Sequence, residues 1–167
     1  MLFSFTYKEN HKVQILLQNI RMTENNSPYF SIRNFESSDT NRVIFIWEKC
    51  GLVRSWNNPN LDIQRKLSFQ KDLFFIGELN NEIIATAMFG YDGHRGWLNY
   101  FAVIPKYQKM GFGKQLLNFG ETILIEKGCP KLNIQIRTEN IEAMNFYKRV
   151  GYTEDAAVSF GKRLIED

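Results

Sequence analysis

Gln108-Lys109-Met110-Gly111-Phe112-Gly113-Lys114 is the stretch on which the reading of this chain turns. It follows an apolar run, Trp97 to Val103, that ends before Pro105, and it opens a segment with apolar residues at Leu116, Leu117, Ile123 and Leu124. The run reads as a strand and the segment as a helix over 113–127. Glycines at 111 and 113 let the backbone turn tightly and let a ligand approach peptide N–H groups. The helix start adds unpaired N–H donors and the positive end of a dipole. That combination suits a phosphate. From Gly93 to Gly120 there is no Asp or Glu, while Arg95, Lys106, Lys109 and Lys114 are present. An anionic ligand meets no local repulsion there. The loop lacks Walker A spacing, because Gln115 follows Lys114 and position 108 carries no glycine. It also lacks the G-x-G-x-x-G spacing of dinucleotide-binding loops.

Working outward, Tyr29 to Phe35 reads as a first strand. Asp39 suits a helix N-cap before Val43, Ile44, Ile46 and Trp47, and Gly51 suits its end. The turn-forming run Ser55-Trp56-Asn57-Asn58-Pro59-Asn60 precedes a short helix over 61–69. Two strands flanking Asn80-Asn81, over 73–79 and 82–91, form a hairpin signal. Asp92-Gly93-His94-Arg95-Gly96 is the next turn. Beyond the central helix, Gly128-Cys129-Pro130 is a stop, and Lys131 to Arg137 alternates with Leu132, Ile134 and Ile136 on one face. A helix over 140–150 closes at Gly151, and two short strands, around Tyr152 and over 158–164, finish the chain. The expected architecture is α/β (α+β): a mixed, mostly antiparallel twisted sheet of six to seven strands with helices on both faces.

A second motif lies at Asn140-Ile141-Glu142-Ala143-Met144-Asn145-Phe146-Tyr147-Lys148-Arg149-Val150-Gly151-Tyr152. Q-x-x-G-x-G after a strand, followed some thirty residues later by N-x-x-A-x-x-F-Y-x-x-x-G-Y, resembles the GNAT superfamily of acetyl-CoA-dependent N-acetyltransferases. The resemblance runs from about Tyr29 to Leu164. Cys50 to Asn57 and Tyr91 to Trp97 further resemble a small bacterial subgroup of that superfamily.

The resemblance implies roles. Backbone groups of Phe101, Ala102 and Val103 would pair with the pantetheine arm of acetyl-CoA. Amides of Gln108, Lys109, Met110, Gly111, Phe112, Gly113 and Lys114 would hold the pyrophosphate. Asn140 would contact the cofactor near its pantetheine end, and Tyr147 would sit beside the thioester sulfur as the acid for the departing thiolate. A primary amine would attack the thioester directly, with a main-chain N–H near Val103 facing the oxyanion. No metal is called for. The strand Trp97-Leu98-Asn99-Tyr100-Phe101 lacks the carboxylate that many family members use as base, which leaves Glu78, Asp92, His94 or an ordered water. Trp56 and Arg54 are candidates for the acceptor pocket. The acceptor is a small amine or a protein or peptide amine. The alternative reading is a non-catalytic acyl-CoA-binding sensor or regulatory module.

Composition excludes other classes. The 167 residues suit one domain, with 44% hydrophobic and 23% charged residues. A net charge of +3 with scattered basic residues does not argue for nucleic acid. Cys50 and Cys129 are too few for a disulfide framework and read as free thiols in a reducing compartment. No run approaches a membrane span and no signal peptide is legible, so the expected location is the cytoplasm. Residues 1–28 read as a flexible or loosely docked N-terminal extension, ahead of what the resemblance implies is a GNAT N-acetyltransferase domain over 29–167. A monomer or homodimer is expected.

Overall fold

A computed structural model describes residues 29–165. Strand β1 (Phe30–Asn34) leads through a 3-10 turn into helices α1 (Thr40–Lys49) and α2 (Pro59–Ser68). Strands β2 (Phe74–Leu79), β3 (Glu82–Tyr91) and β4 (Gly96–Val103) follow, then α3 (Phe112–Glu126), β5 (Leu132–Ile134) and α4 (Ile141–Arg149). The sheet runs β1-β2-β3-β4-β5, with the first three pairings antiparallel and β4–β5 parallel. The mixed, mostly antiparallel class is as expected, with five strands among the described residues rather than six or seven.

Local chemistry explains these elements. Asn80 and Asn81 have φ of 51° and 66°, the left-handed pair of a type I′ hairpin. Asn58 caps α2 by accepting from the Asn60 and Leu61 N–H groups, with Pro59 at the first helical position, so this helix starts two residues earlier than its apolar period suggests. Asp39 makes no side-chain cap on α1. Its carboxylate instead accepts the Glu36 N–H and the fork of Arg33, at 2.8 and 3.0 Å.

The sheet is buried on both faces. Phe74, Ile76, Met88 and Ala102 meet Val43, Ile46 and Trp47 of α1 and Ile63 of α2. Phe75, Phe89, Leu98 and Val103 meet Phe112, Leu116, Leu117 and Leu124 of α3 and Tyr147 of α4. The two expected C-terminal strands do not form among the described residues. Val158, Phe160 and Leu164 alternate loosely but lie exposed, and their backbone joins no ladder. The expectation for residues 1–28 falls outside the described residues.

Candidate active site

Two irregularities of β4 build the site. It pairs with β5 only from Gly96 to Leu98, opposite Leu132 to Ile134, and beyond Leu98 the two strands pair no further. Against β3, Tyr100 and Phe101 stand opposite Ala87 alone, which is a β-bulge. Tyr100 carries the strain, with φ of 48°. Its carbonyl accepts from the Thr86 hydroxyl at 2.9 Å, and that oxygen accepts from the Trp47 indole at 2.9 Å. The Tyr100 ring stacks on Trp47 with centroids 3.9 Å apart. The fully buried Trp47 and Thr86 thus hold the bulge in place from beneath.

The ladder sorts the backbone groups. Ile104 donates to Ile84 at 2.9 Å, which makes 104/84 a hydrogen-bonded pair and, by alternation, 102/86 another. Ala102 therefore turns its N–H and C=O to β3, contrary to the expectation that it faces the cofactor. Phe101 and Val103 turn theirs toward the gap beside β5. The Val103 carbonyl already accepts from the Gln108 amide at 2.8 Å and the Cys50 thiol at 3.4 Å, so its N–H is the group left over. Burial pushes the Cys50 thiol up to about 11, which suits a proton donor and not a nucleophile.

At the end of β4 the Gln108–Lys114 loop delivers the start of α3. Gly111 is its N-cap with φ of 90°, and a Cβ there would meet open space. Gly113 lies so close to β4 that a Cβ would touch Val103 at 3.4 Å and Phe101 at 3.5 Å. The N–H groups that begin this helix thus stand next to the gap, unpaired by helix geometry. Lys109, at φ of 62°, reaches Glu142 at 3.5 Å, with both side chains exposed. These features fit acetyl-CoA: a Cβ-free turn and free N–H groups for a pyrophosphate, and a strand edge for an amide-bearing arm.

Tyr147 is 8% exposed, among Phe101, Phe146 and Tyr152 with ring centroids 5.1–6.1 Å away. Burial raises its pKa well above the ordinary phenol value, so it stays protonated. Asn140 caps α4, its side-chain oxygen accepting the Ala143 N–H at 3.1 Å.

Where β4 and β5 have parted lies a cleft of about 400 Å³, lined by Leu52, Trp56, Asn57, Asn99, Tyr100, Gln135 and Arg137. Of the two acceptor-pocket candidates, Trp56 lines this cleft and Arg54 does not. None of the expected base candidates lines it either. Asp92 serves its turn, accepting the His94 and Arg95 N–H groups at 2.8 and 2.7 Å. That turn precedes Gly96, roughly 20 Å of strand from Val103, and His94 lies in the same turn. Glu78 is ion-paired with Arg33 at 2.8 Å. The carboxylate that reaches the cleft does so through a side chain: the Tyr100 hydroxyl donates to Asp62 at 2.5 Å, and the Asn57 amide donates to both. Sequence reading missed Asp62, Tyr100 and Arg137. Asp62 looks like an ordinary first-turn acidic residue of a helix, and nothing local announces its partner across 38 positions. Among the described residues no three His, Cys, Asp or Glu side chains gather as a metal site, and no helix is long and apolar enough to cross a membrane.

Solved structures share this fold. Ard1 from Thermoplasma volcanium superposes with a TM-score of 0.68 at 21% identity, over 76% of this chain and 84% of that one. The ribosomal-protein-S18-alanine N-acetyltransferase from Escherichia coli gives 0.63 at 22%, over 76% and 79%. The aminoglycoside N-acetyltransferase AAC(6')-Iy, in a complex with CoA, gives 0.65 at 17%, over 84% and 98%. The chain thus shares its fold with these two N-acetyltransferases and with Ard1. The sequence profile of the acetyltransferase (GNAT) family matches residues 28–152, and the chain belongs to that family.

Proposed function

We propose that this protein transfers an acetyl group from acetyl-CoA to the primary amine of an acceptor, by direct attack. The observation that carries this reading is the gap beside β4, where Phe101 and Val103 present main-chain groups next to the open turn at Gly111. Phe101 and Val103 pair with the pantetheine arm, and the amides of Gln108 to Lys114 hold the pyrophosphate. Asn140 keeps the start of α4 in position and offers its exposed amide nitrogen near the arm.

The thioester supplies an activated acetyl group. The Val103 N–H stabilises negative charge on the carbonyl oxygen as the amine attacks. The new C–N bond makes the nitrogen acidic. Its proton passes to the Tyr100 oxygen as the Tyr100 proton moves to Asp62, a route supported by their 2.5 Å contact. The C–S bond then breaks, and Tyr147 donates to the departing thiolate and recovers a proton from solvent. Its raised pKa keeps the proton on the hydroxyl at every working pH, so the group is present as a donor when the thiolate departs. Much of the remaining acceleration is positioning. The alternative, a non-catalytic acyl-CoA sensor, has no use for the Tyr100–Asp62 pair.

Two measurements test this reading. CoA should raise the melting temperature, because it binds the folded loop and not the unfolded chain. Gly111→Asp should abolish most of that rise by placing a carboxylate and a strained Cβ in the turn. Free thiol should also appear when acetyl-CoA meets a suitable amine. No thermal shift at millimolar CoA would sink the cofactor assignment, whereas a shift without turnover on any amine would favour the sensor.

A further inference from the structure

The acceptor cleft is electrically polarised. Its floor is the Tyr100 hydroxyl, backed by the Asp62 carboxylate at 2.5 Å. Its rim is cationic. The Arg137 guanidinium lies over the Trp56 ring, 5.6 Å from the centroid, and makes no ion pair among the described residues. Arg163 arrives at the same place from the C-terminal segment, donating to the Trp56 carbonyl at 2.5 Å. Among the described residues no carboxylate lines the walls, and the other polar walls are the neutral amides Asn57, Asn99 and Gln135. A cleft of about 400 Å³ takes one small molecule.

We infer that the acceptor is a small amine that also carries an anionic group, the amine seated at Tyr100 and the anion held by Arg137 at the rim. This rests on the acetyl-transfer reading and adds the class of acceptor to it. A polyamine or a polycationic sugar would place a second positive charge against Arg137, which makes no ion pair among the described residues. A guanidinium on an aromatic plate has its five N–H donors set in one plane, which suits the oxygens of a carboxylate or phosphate. The two anion types share this chemistry, and the panel below separates them.

The experiment uses the full chain and the thiol-release assay with four probes: glycine and other α-amino acids, O-phosphoethanolamine, ethanolamine and spermidine. The expected result is a kcat/KM for the amino acids or for O-phosphoethanolamine at least tenfold above that for ethanolamine or spermidine. Whichever anionic probe leads identifies carboxylate or phosphate. Arg137→Gln should collapse that preference mainly through KM, while Arg137→Lys should retain part of it. The CoA-induced melting shift of each variant checks that the fold and the cofactor side are intact. Equal or better turnover of ethanolamine or spermidine overturns the inference. So does a preference that survives in Arg137→Gln, or a protein that shifts with CoA yet acetylates none of the four. Absence of any CoA shift in the unmodified protein brings down the acetyl-transfer reading itself, and is distinguishable from the other failures.

Discussion

Tyr147 joins the packing of the molecule to its proposed chemistry. Its ring belongs to the aromatic cluster under α3 and α4, and its hydroxyl makes no hydrogen bond among the described residues. Tyr147→Phe keeps the ring, so the CoA-induced melting shift should persist. Loss of the donor should lower kcat and kcat/KM together by roughly 10²-fold, as for an interaction made in the transition state alone. An unchanged kcat, with chemistry limiting, would leave Tyr147 as a packing residue. Arg33 and Asp39 make a different kind of residue-level argument. Burial by itself pushes the Asp39 carboxyl up, but the Arg33 fork and the Glu36 N–H outweigh it and hold the carboxyl below its ordinary value. A carboxyl with a lowered folded pKa contributes stability above its unfolded pKa of about 4 and loses it as pH falls further. Asp39→Asn should therefore cost about 2 kcal/mol near neutral pH, the scale of hydrogen bonds to a charged group. In urea titrations the gap between the two proteins should narrow below about pH 4. A gap that stays constant into acid would show that charge is not what Asp39 contributes.

At the scale of elements, α3 lies so close on β3 that Gly120 has no room for a side chain. A Cβ there would come within 2.0 Å of the Phe89 ring. Gly120→Ala gains about 1 kcal/mol of helix propensity and forces the ring aside, at an overpacking cost of about 1–3 kcal/mol. The net expectation is a lower melting temperature, recovered in part by Phe89→Leu in the same chain. A Gly120→Ala protein more stable than the original would contradict the contact. The elements also show what period and turn chemistry reveal. Asn80-Asn81, the glycine-led start of α3 and the Asn140 cap are local codes, and each forms where its residues stand. The bulge in β4 is not a local code. Strict alternation places Asn99 and Tyr100 on opposite faces, yet both line the cleft, because the extra residue between Leu98 and Phe101 resets the alternation. That reset depends on Thr86 and Trp47, which are distant in sequence. The C-terminal strands failed as an expectation for a related reason: alternation over 158–164 is a sufficient pattern for a strand only when a neighbouring edge accepts it.

At the scale of the molecule, the two hydrophobic clusters of the described residues draw on residues from Phe30 onward, and the family profile begins at residue 28. We expect a chain starting at Pro28 to fold cooperatively and to keep its melting shift with CoA. An insoluble or molten product would show that Ile15-Leu16-Leu17 completes the core. The glycine turn and the helix start proposed for the cofactor were legible in the sequence, since glycine spacing and a helix start are local features. In the cleft, Trp56 was legible but Arg137 and Asp62 were not, since they meet it only through the fold.

The parting of β4 from β5 has an evolutionary consequence. What the gap offers is peptide groups, and these survive almost any change of side chain. One wall of the site is therefore free to drift in sequence without losing its ligand, provided that the bulge and the two glycines persist. The opposite wall is made of side chains from two loops and the bulge of β4, and a handful of exchanges there rewrites what is admitted. A lineage built this way can hold its donor constant while sampling new acceptors, and similarity in its overall sequence becomes a poor guide to substrate.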